Sequence, residues 1–190
     1  LTTGMRQGEL LGLQWSDIDW TNQTITVQHN LIEINGKFVA LDTPKTDAGR
    51  RVVELTAPTI AALKRHRRGL LERGLAGVPQ VFPSERARTA STVWPAAGLG
   101  YLHKARVRKA FDRVIAAAGV PELTFHQLRH TAATLMLQNG TDPKIVSYRL
   151  GHSRVEVTMN LYQHVLPTMQ REAAAKLDAV LGLGGTGGQT

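Results

Sequence analysis

The chain has 190 residues, 42% of them hydrophobic, and carries 23 Lys+Arg against 15 Asp+Glu, a formal net charge of +8. That is enough apolar material for one core without covalent staples, and the positive balance favours a polyanionic partner, because neutralised phosphates release counterions. The absence of cysteine excludes thiolate metal sites, cysteine nucleophiles and a disulfide framework. No apolar run approaches the roughly 20 residues needed to span a bilayer, and the start "LTTGMRQGEL" lacks a signal peptide's basic and apolar regions, so the expected location is the cytoplasm.

A turn at Gly4 leads into a short helix over 5–13, followed by the polar loop "QWSDIDWTN". A β region comes next. "TITVQH" alternates, "LIEINGKFVAL" carries the hairpin signal Asn35-Gly36, and "RRVVEL" is a third β-branched run, which together predict a small antiparallel sheet with "DTPKTDAGR" as the loop before its last strand. From Thr59 onward the pattern is mostly helical. It predicts a basic helix over 59–73, an irregular Pro-, Gly- and Ser-rich connection over 79–100, and a helix over 101–118. In that last helix Val107, Phe111, Val114, Ile115 and Ala118 follow the helical period, with Lys104, Arg108, Lys109, Asp112 and Arg113 mostly off the stripe. Thr124 with Gln127 and Ser153 with Glu156 fit capping boxes, and Asp142-Pro143 fits an N-cap with proline in the first turn. A final helix over about 168–181 precedes the Gly-rich stretch "GLGGTGGQT". No internal repeat is visible.

The segment "TFHQLRHTAATL" sets His126 and His130 four apart, a spacing that puts two imidazoles on one helical face. Zinc is a poor fit there. A third ligand is missing, Arg129 sits in the same turn, and Gln127 stands where a metalloprotease needs glutamate. With Thr124 as cap, His126 lies in the first turn and Arg129 three residues on, both near the positive end of the helix dipole, which attracts anions. Taken alone, the segment also fits a surface histidine pair over core-facing Leu128, Ala132 and Leu135. "TGMRQGELLGL" places Arg6 just after a glycine turn with Glu9 three residues later, where a carboxylate can orient a guanidinium; in isolation such a pair is an ordinary surface ion pair. "LGHSRVEVTMNLYQH" adds His152 at a helix end and Tyr162 ten residues on, a tyrosine that by spacing alone reads as a packed aromatic. Together the residues have a chemical logic. Paired arginines with histidine donors can hold the charge that gathers on a phosphodiester under attack, a tyrosine hydroxyl can act as covalent nucleophile, and a loop lysine can protonate a departing alkoxide.

The segments "TGMRQGELLGLQWSDID", "TPKTDAGRRVVEL", "HQLRHTAATLML" and "LGHSRVEVTMNLYQHV", in that order and covering most of residues 2–166, resemble the catalytic domain of the tyrosine recombinase, or phage integrase, family. The resemblance implies an α+β fold, mainly α-helical with a small three-stranded antiparallel sheet. It matches Arg6 and Arg129 to the arginines that clamp the scissile phosphate and Glu9 to their acidic support. Lys45 matches the lysine that protonates the 5′-hydroxyl leaving group. His126 and His152 match histidines that bind phosphate and assist proton transfer, and Tyr162 matches the nucleophile of a 3′-phosphotyrosyl link. It further implies double-stranded DNA as partner, a homotetramer on DNA in the full-length protein, and no cofactor, metal or ATP.

Gln127 departs from the aspartate usual in the family at this non-catalytic position. Because members carry more helix and a core-binding domain before "TGMR", residues 1–182 are expected to be an N-terminally truncated catalytic domain, with 183–190 a flexible tail. The spacing of His152 and Tyr162 resembles phage-type members, so integration or excision of a mobile element is the expected role. Two readings compete with a site-specific recombinase: a catalytically inactive DNA-binding accessory module of the same fold, and a type IB topoisomerase, against which the "LGHS" stretch and the last helix argue.

Overall fold

The structure, a computed structural model, describes residues 1–34, 37–42, 50–85, 100–162 and 166–181, leaving aside the side chains of 37, 38, 40–42, 161, 162, 166–169 and 172. Lys45 and the Gly-rich stretch from 182 to 190 lie outside the described residues. Helix α1 (Gln7–Gly12) starts two residues later than the pattern predicts, because Arg6 is the extended residue that caps it. The Glu9 carboxylate reaches back to accept the Arg6 backbone N–H at 2.8 Å. Gly8 lets α1 lie directly on the third strand, since a Cβ there would strike Asn30 Oδ1 and stand 2.8 Å from the Leu31 carbonyl.

The segment "QWSDIDWTN" is more ordered than a loop. It holds a 3-10 turn (Trp15–Asp17) and strand β1 (Ile18–Asp19), which pairs antiparallel with β2 (Thr24–Val27). Asp19 makes the tight connection possible by accepting from the backbone N–H groups of Thr21 and Asn22, both at 2.9 Å, the Asx-type bonding that competes with regular structure at turns. The other edge of β2 pairs with β5 (Arg51–Glu54), in register Ile25↔Val53 and Val27↔Arg51. A three-stranded antiparallel sheet in the order β1-β2-β5 results. The run around Asn35-Gly36 pairs with itself as β3 (His29–Ile34) and β4 (Lys37–Asp42), a separate two-stranded sheet. Three strand-forming runs therefore do not make one sheet. A hairpin satisfies its own ladder locally, and the vacant edge of β2 goes to the two-residue β1.

Helix α2 (Ala57–Glu72) lays Ile60 and Leu63 on the sheet, joining Ile25, Val27 and Val53 in the main core. Helix α3 (Lys104–Ala117) is less embedded than its periodicity suggests. Val107, Phe111 and Ile115 are partly buried, but Val114 is 63% exposed and Ala118 lies at the surface. Helices α4 (Phe125–Gln138), α5 (Pro143–Leu150) and α6 (Val155–Tyr162) pack together, with Ala133, Leu137, Val146 and Leu150 as a second core. On α4 Ala132 is buried and Leu128 partly so, whereas Leu135 points to solvent.

The caps form as the sequence predicts at two of three places. Gln127 N–H donates to Thr124 Oγ1 at 3.1 Å, Thr124 N–H donates to Gln127 Oε1 at 2.7 Å, and the Asp142 carboxylate accepts the Lys144 N–H at 2.7 Å. Helix α6 begins at Val155, one residue later than the Ser153–Glu156 box predicts. Helix α7 (Leu166–Leu181) ends the described chain, and no described helix is long and apolar enough to cross a membrane.

Sheet and helical bundle are joined by a buried charge network. The alternation of β5 turns Val53 and Arg51 inward while Val52 and Glu54 face out, and Arg51 is 2% exposed. Its Nη1 and Nη2 donate to the two oxygens of Glu9 at 3.1 and 2.7 Å, and its Nε donates to the Arg149 carbonyl at the end of α5 at 2.8 Å. Burial by itself pushes the Glu9 carboxyl up, but the hydrogen bonds and charge of Arg51, with those from Arg6, outweigh it and hold the group below its usual range. A carboxylate depressed in the folded state contributes stability above its unfolded pKa, and that contribution is lost as pH falls through the lower folded value. Removing one member of such a pair leaves the other buried and short of partners. Arg51→Met is therefore expected to lower unfolding stability by about 3 kcal/mol at pH 7, measured by urea denaturation. The loss should shrink in acid below the normal Glu range, where Glu9 becomes protonated.

Candidate functional site

The residues singled out from sequence converge from three directions. Arg6 stands at the N-terminus of α1, His126 and Arg129 in the first turns of α4, and His152 in the link between α5 and α6; all four line one cleft of about 430 Å³, together with Gln7, Phe125 and Val157. Glu9 lies behind it, 3% exposed, bonded to Arg6 Nη1 at 2.8 Å. Tyr162 is the last residue of α6, and its side chain, like all of Lys45, lies outside the described residues.

Backbone carbonyls from distant parts of the chain hold Arg129 and Arg6. Gly4 takes the left-handed conformation, φ 61°, and its carbonyl accepts from Arg129 Nη1 at 2.6 Å. Gly151, φ 67°, ends α5 in a Schellman arrangement, with Gly151 N–H bonded to Tyr148 O at 2.9 Å and His152 N–H to Ser147 O at 3.0 Å. Its carbonyl accepts from Arg6 Nη2 at 2.7 Å. A Cβ at Gly151 would come within 2.6 Å of Arg51 Nη1, so a side chain is barred there by both backbone and neighbour. The same turn that frees His152 for the cleft thus also positions Arg6.

The electrostatics are those of an anion seat. Arg129 is 7% exposed, and its buried Nη2 has no acceptor among the described residues, which is costly for a charged donor unless a ligand supplies one. Burial, then the charge of Arg6, pulls the Arg129 guanidinium down to about 10, still fully protonated at neutral pH. Burial followed by the charges of Arg129 and Arg6 drives His152 down to about 4, so its imidazole is neutral at pH 7. Its Nδ1 is 2.8 Å from Thr158 Oγ1, leaving Nε2 for the cleft. His126 and His130 share a hydrogen bond between their Nε2 atoms at 2.7 Å, and desolvation, then His126, then Arg129, keep His130 below its ordinary range. The guanidiniums of Arg6, Arg129 and Arg51 against one carboxylate, Glu9, leave a surplus of positive charge fixed around the cleft, the arrangement that stabilises an oxyanion without reorganising.

Two residues at the site escaped the sequence reading. Arg51 sits in a run read simply as a strand, although its alternation with Val53 already assigned it to the buried face. Thr158 carries no sequence mark, because only the fold of α6 against the α5–α6 link brings its hydroxyl to His152.

The model of the phage integrase family matches residues 1–169. A tyrosine recombinase XerC-like protein of Caldanaerobacter subterraneus subsp. tengcongensis is 34% identical over 93% of this chain and 46% of its own length. Among solved structures, a Tn1549 transposon integrase in complex with transposon right end DNA superposes with TM-score 0.70 at 24% identity, over 91% of this chain and 56% of that one, a likeness of fold. The XerH site-specific recombinase bound to palindromic difH substrate, in a post-cleavage complex, gives TM-score 0.63 at 28% identity, over 92% of this chain and 42% of that one. The chain thus spans about half the length of the recombinases it matches. With a family match across nearly all of the described chain, over a fold and cleft of this kind, the chain belongs to the phage integrase family of tyrosine recombinases.

Proposed function

We propose that the chain is the catalytic part of a site-specific DNA recombinase that cuts and rejoins strands of double-stranded DNA through a covalent tyrosyl intermediate. The observation that carries the reading is the convergence of Arg6 and Arg129 on one cleft, with the buried Nη2 of Arg129 lacking an acceptor among the described residues. A phosphodiester oxygen is the acceptor that such a seat lacks, and planar guanidiniums match phosphate geometry. The DNA-bound state of the similar XerH recombinase supports the choice of polyanion.

In the proposed cycle the Tyr162 oxygen attacks the scissile phosphorus, forming the P–O(Tyr) bond as the bond to the 5′-oxygen breaks. His126 assists removal of the tyrosine proton, and Lys45 delivers a proton to the departing 5′-oxygen. Arg6, Arg129 and the neutral ring of His152 hold the non-bridging oxygens, and Glu9 keeps Arg6 oriented. The 3′-phosphotyrosyl link keeps the energy of the broken diester. A 5′-hydroxyl from a partner strand attacks it in turn, releasing Tyr162, so strand exchange needs no external energy source. In the full-length protein the reaction runs in a homotetramer on two DNA sites, in the cytoplasm, and serves integration or excision of a mobile element.

Tyr162→Phe should bind a nicked suicide duplex as well as the wild type does but give no covalent adduct on a denaturing gel; an adduct surviving the change excludes Tyr162 as nucleophile. Lys45→Ala should cleave slowly on ordinary DNA and recover on a 5′-bridging sulfur substrate, whose leaving group needs little protonation, and lack of rescue would place the acid elsewhere. Imidazole NMR of the free chain should find His152 titrating near pH 4. Adding the duplex should move that titration upward, because a phosphate offsets the guanidiniums that, after burial, depress it.

A further inference from the structure

Thr158 is fully buried, with no exposed surface, and lies on α6 one helical turn before Tyr162. Its hydroxyl is 2.8 Å from His152 Nδ1 across the α5–α6 link, and the next residue back, Val157, lines the cleft. No water reaches that hydroxyl, so its hydrogen bond to the ring is one of the few ways to satisfy it. A neutral imidazole carries a single N–H, and which nitrogen holds it is decided by what the other nitrogen bonds.

If Nδ1 spent that proton on Thr158, Nε2 would present a lone pair to the cleft. A lone pair repels phosphate oxygens, and the ring could neither donate to the reacting phosphate nor help Arg6 and Arg129 hold it. If Thr158 donates instead, Nδ1 is the acceptor and Nε2–H faces the cleft, giving a donor that needs no added charge among three guanidiniums. The ring is then poised as the arginines are, with its hydrogen-bonding polarity set before the DNA arrives.

Resting on the recombinase reading above, we propose that Thr158 is a positioning residue for strand cleavage: its hydroxyl donates to His152 Nδ1 and locks the imidazole in the tautomer that offers Nε2–H to the scissile phosphate. The contribution is one of orientation and proton placement. Thr158 acts through the ring and not on the phosphate.

The test combines a spectroscopic and a kinetic measurement on the chain with 15N-labelled histidine. At pH 7.5, one-bond and multiple-bond imidazole spectra should show His152 protonated at Nε2 and bare at Nδ1. Thr158→Val, close in shape and lacking the hydroxyl, should lose that preference, whereas Thr158→Ser should keep it. On a nicked suicide duplex Thr158→Val should form the phosphotyrosyl adduct slower by about tenfold to a hundredfold, the usual cost of losing an orienting partner behind a functional histidine. DNA affinity should be unchanged, and Thr158→Ser should restore the rate. A wild-type ring protonated at Nδ1 overturns the proposal, as does a folded Thr158→Val that cleaves at the wild-type rate. Should Thr158→Val fail to fold, the wild-type tautomer and the Thr158→Ser rate decide the matter. A wild-type chain that forms no adduct, yet shows the Nε2–H tautomer lost in Thr158→Val, counts against the recombinase reading and upholds the role of Thr158 in holding the ring.

Discussion

Taking a carboxylate and a guanidinium out of water together is tolerable only when each of their oxygens and nitrogens finds a partner. Glu9 and Arg51 meet that condition with two mutual bonds, while the remaining donors come from Arg6 and the remaining acceptor from the Arg149 carbonyl. Three elements depend on this arrangement, since Arg6 and Glu9 belong to the start of α1, Arg51 to β5, and Arg149 to the last turn of α5. None can shift alone without exposing the pair to an unmatched partner. Part of the cleft inherits its geometry from that constraint, because Arg6 lines it, Gln7 follows Arg6 in the chain, and Gly151, whose carbonyl holds Arg6, precedes His152.

The network also explains how a cluster of cations is held together before any anion arrives. Arg6, Arg51 and Arg129 would repel one another in a low-dielectric interior, and Glu9 offsets only part of that repulsion. Carbonyls supply the rest. Gly4 and Gly151 turn their backbones into the left-handed region and aim an oxygen at Arg129 and Arg6, respectively. The site carries a surplus of positive charge, so burial and the neighbouring cations hold His152 neutral, and Arg129 Nη2 has no acceptor among the described residues. On the proposed reading, a phosphate supplies the acceptor for Arg129 Nη2 and takes the N–H of the neutral His152 ring. The neutral histidine, the Arg129 Nη2 that has no acceptor among the described residues and the left-handed glycines are therefore one phenomenon, a positive seat fixed by the fold.

Local signals in the sequence were dependable where the physics is local. Thr124 with Gln127, and Asp142 with Pro143, mark helix starts because a cap is a contact within a few residues, and both were found where they were read. The Asn35-Gly36 hairpin is of the same kind, its flanks pairing in the register a short connection imposes. Assignments that depend on a neighbour were less secure. Val114 and Leu135 follow the apolar period of their helices and yet face solvent, since periodicity says which residues share a face and not what that face meets. The pairing of β2 with β1 in place of the hairpin is a choice between edges that no single run contains.

What the sequence determined unaided is the chemical inventory and its order: two arginines, two histidines, a lysine and a tyrosine embedded in local motifs, on a cationic chain with helical caps strong enough to place Arg129 and His126 in one turn. What only the tertiary structure decided is how those side chains are held. Arg51 became an interior partner of Glu9 because β5 presents it to the core 42 residues away from its carboxylate, and Thr158 met His152 because α6 folds back over the link that precedes it. Motifs record groups that react together, but the groups that orient them are chosen by packing, and packing brings together residues whose separation along the chain carries no mark.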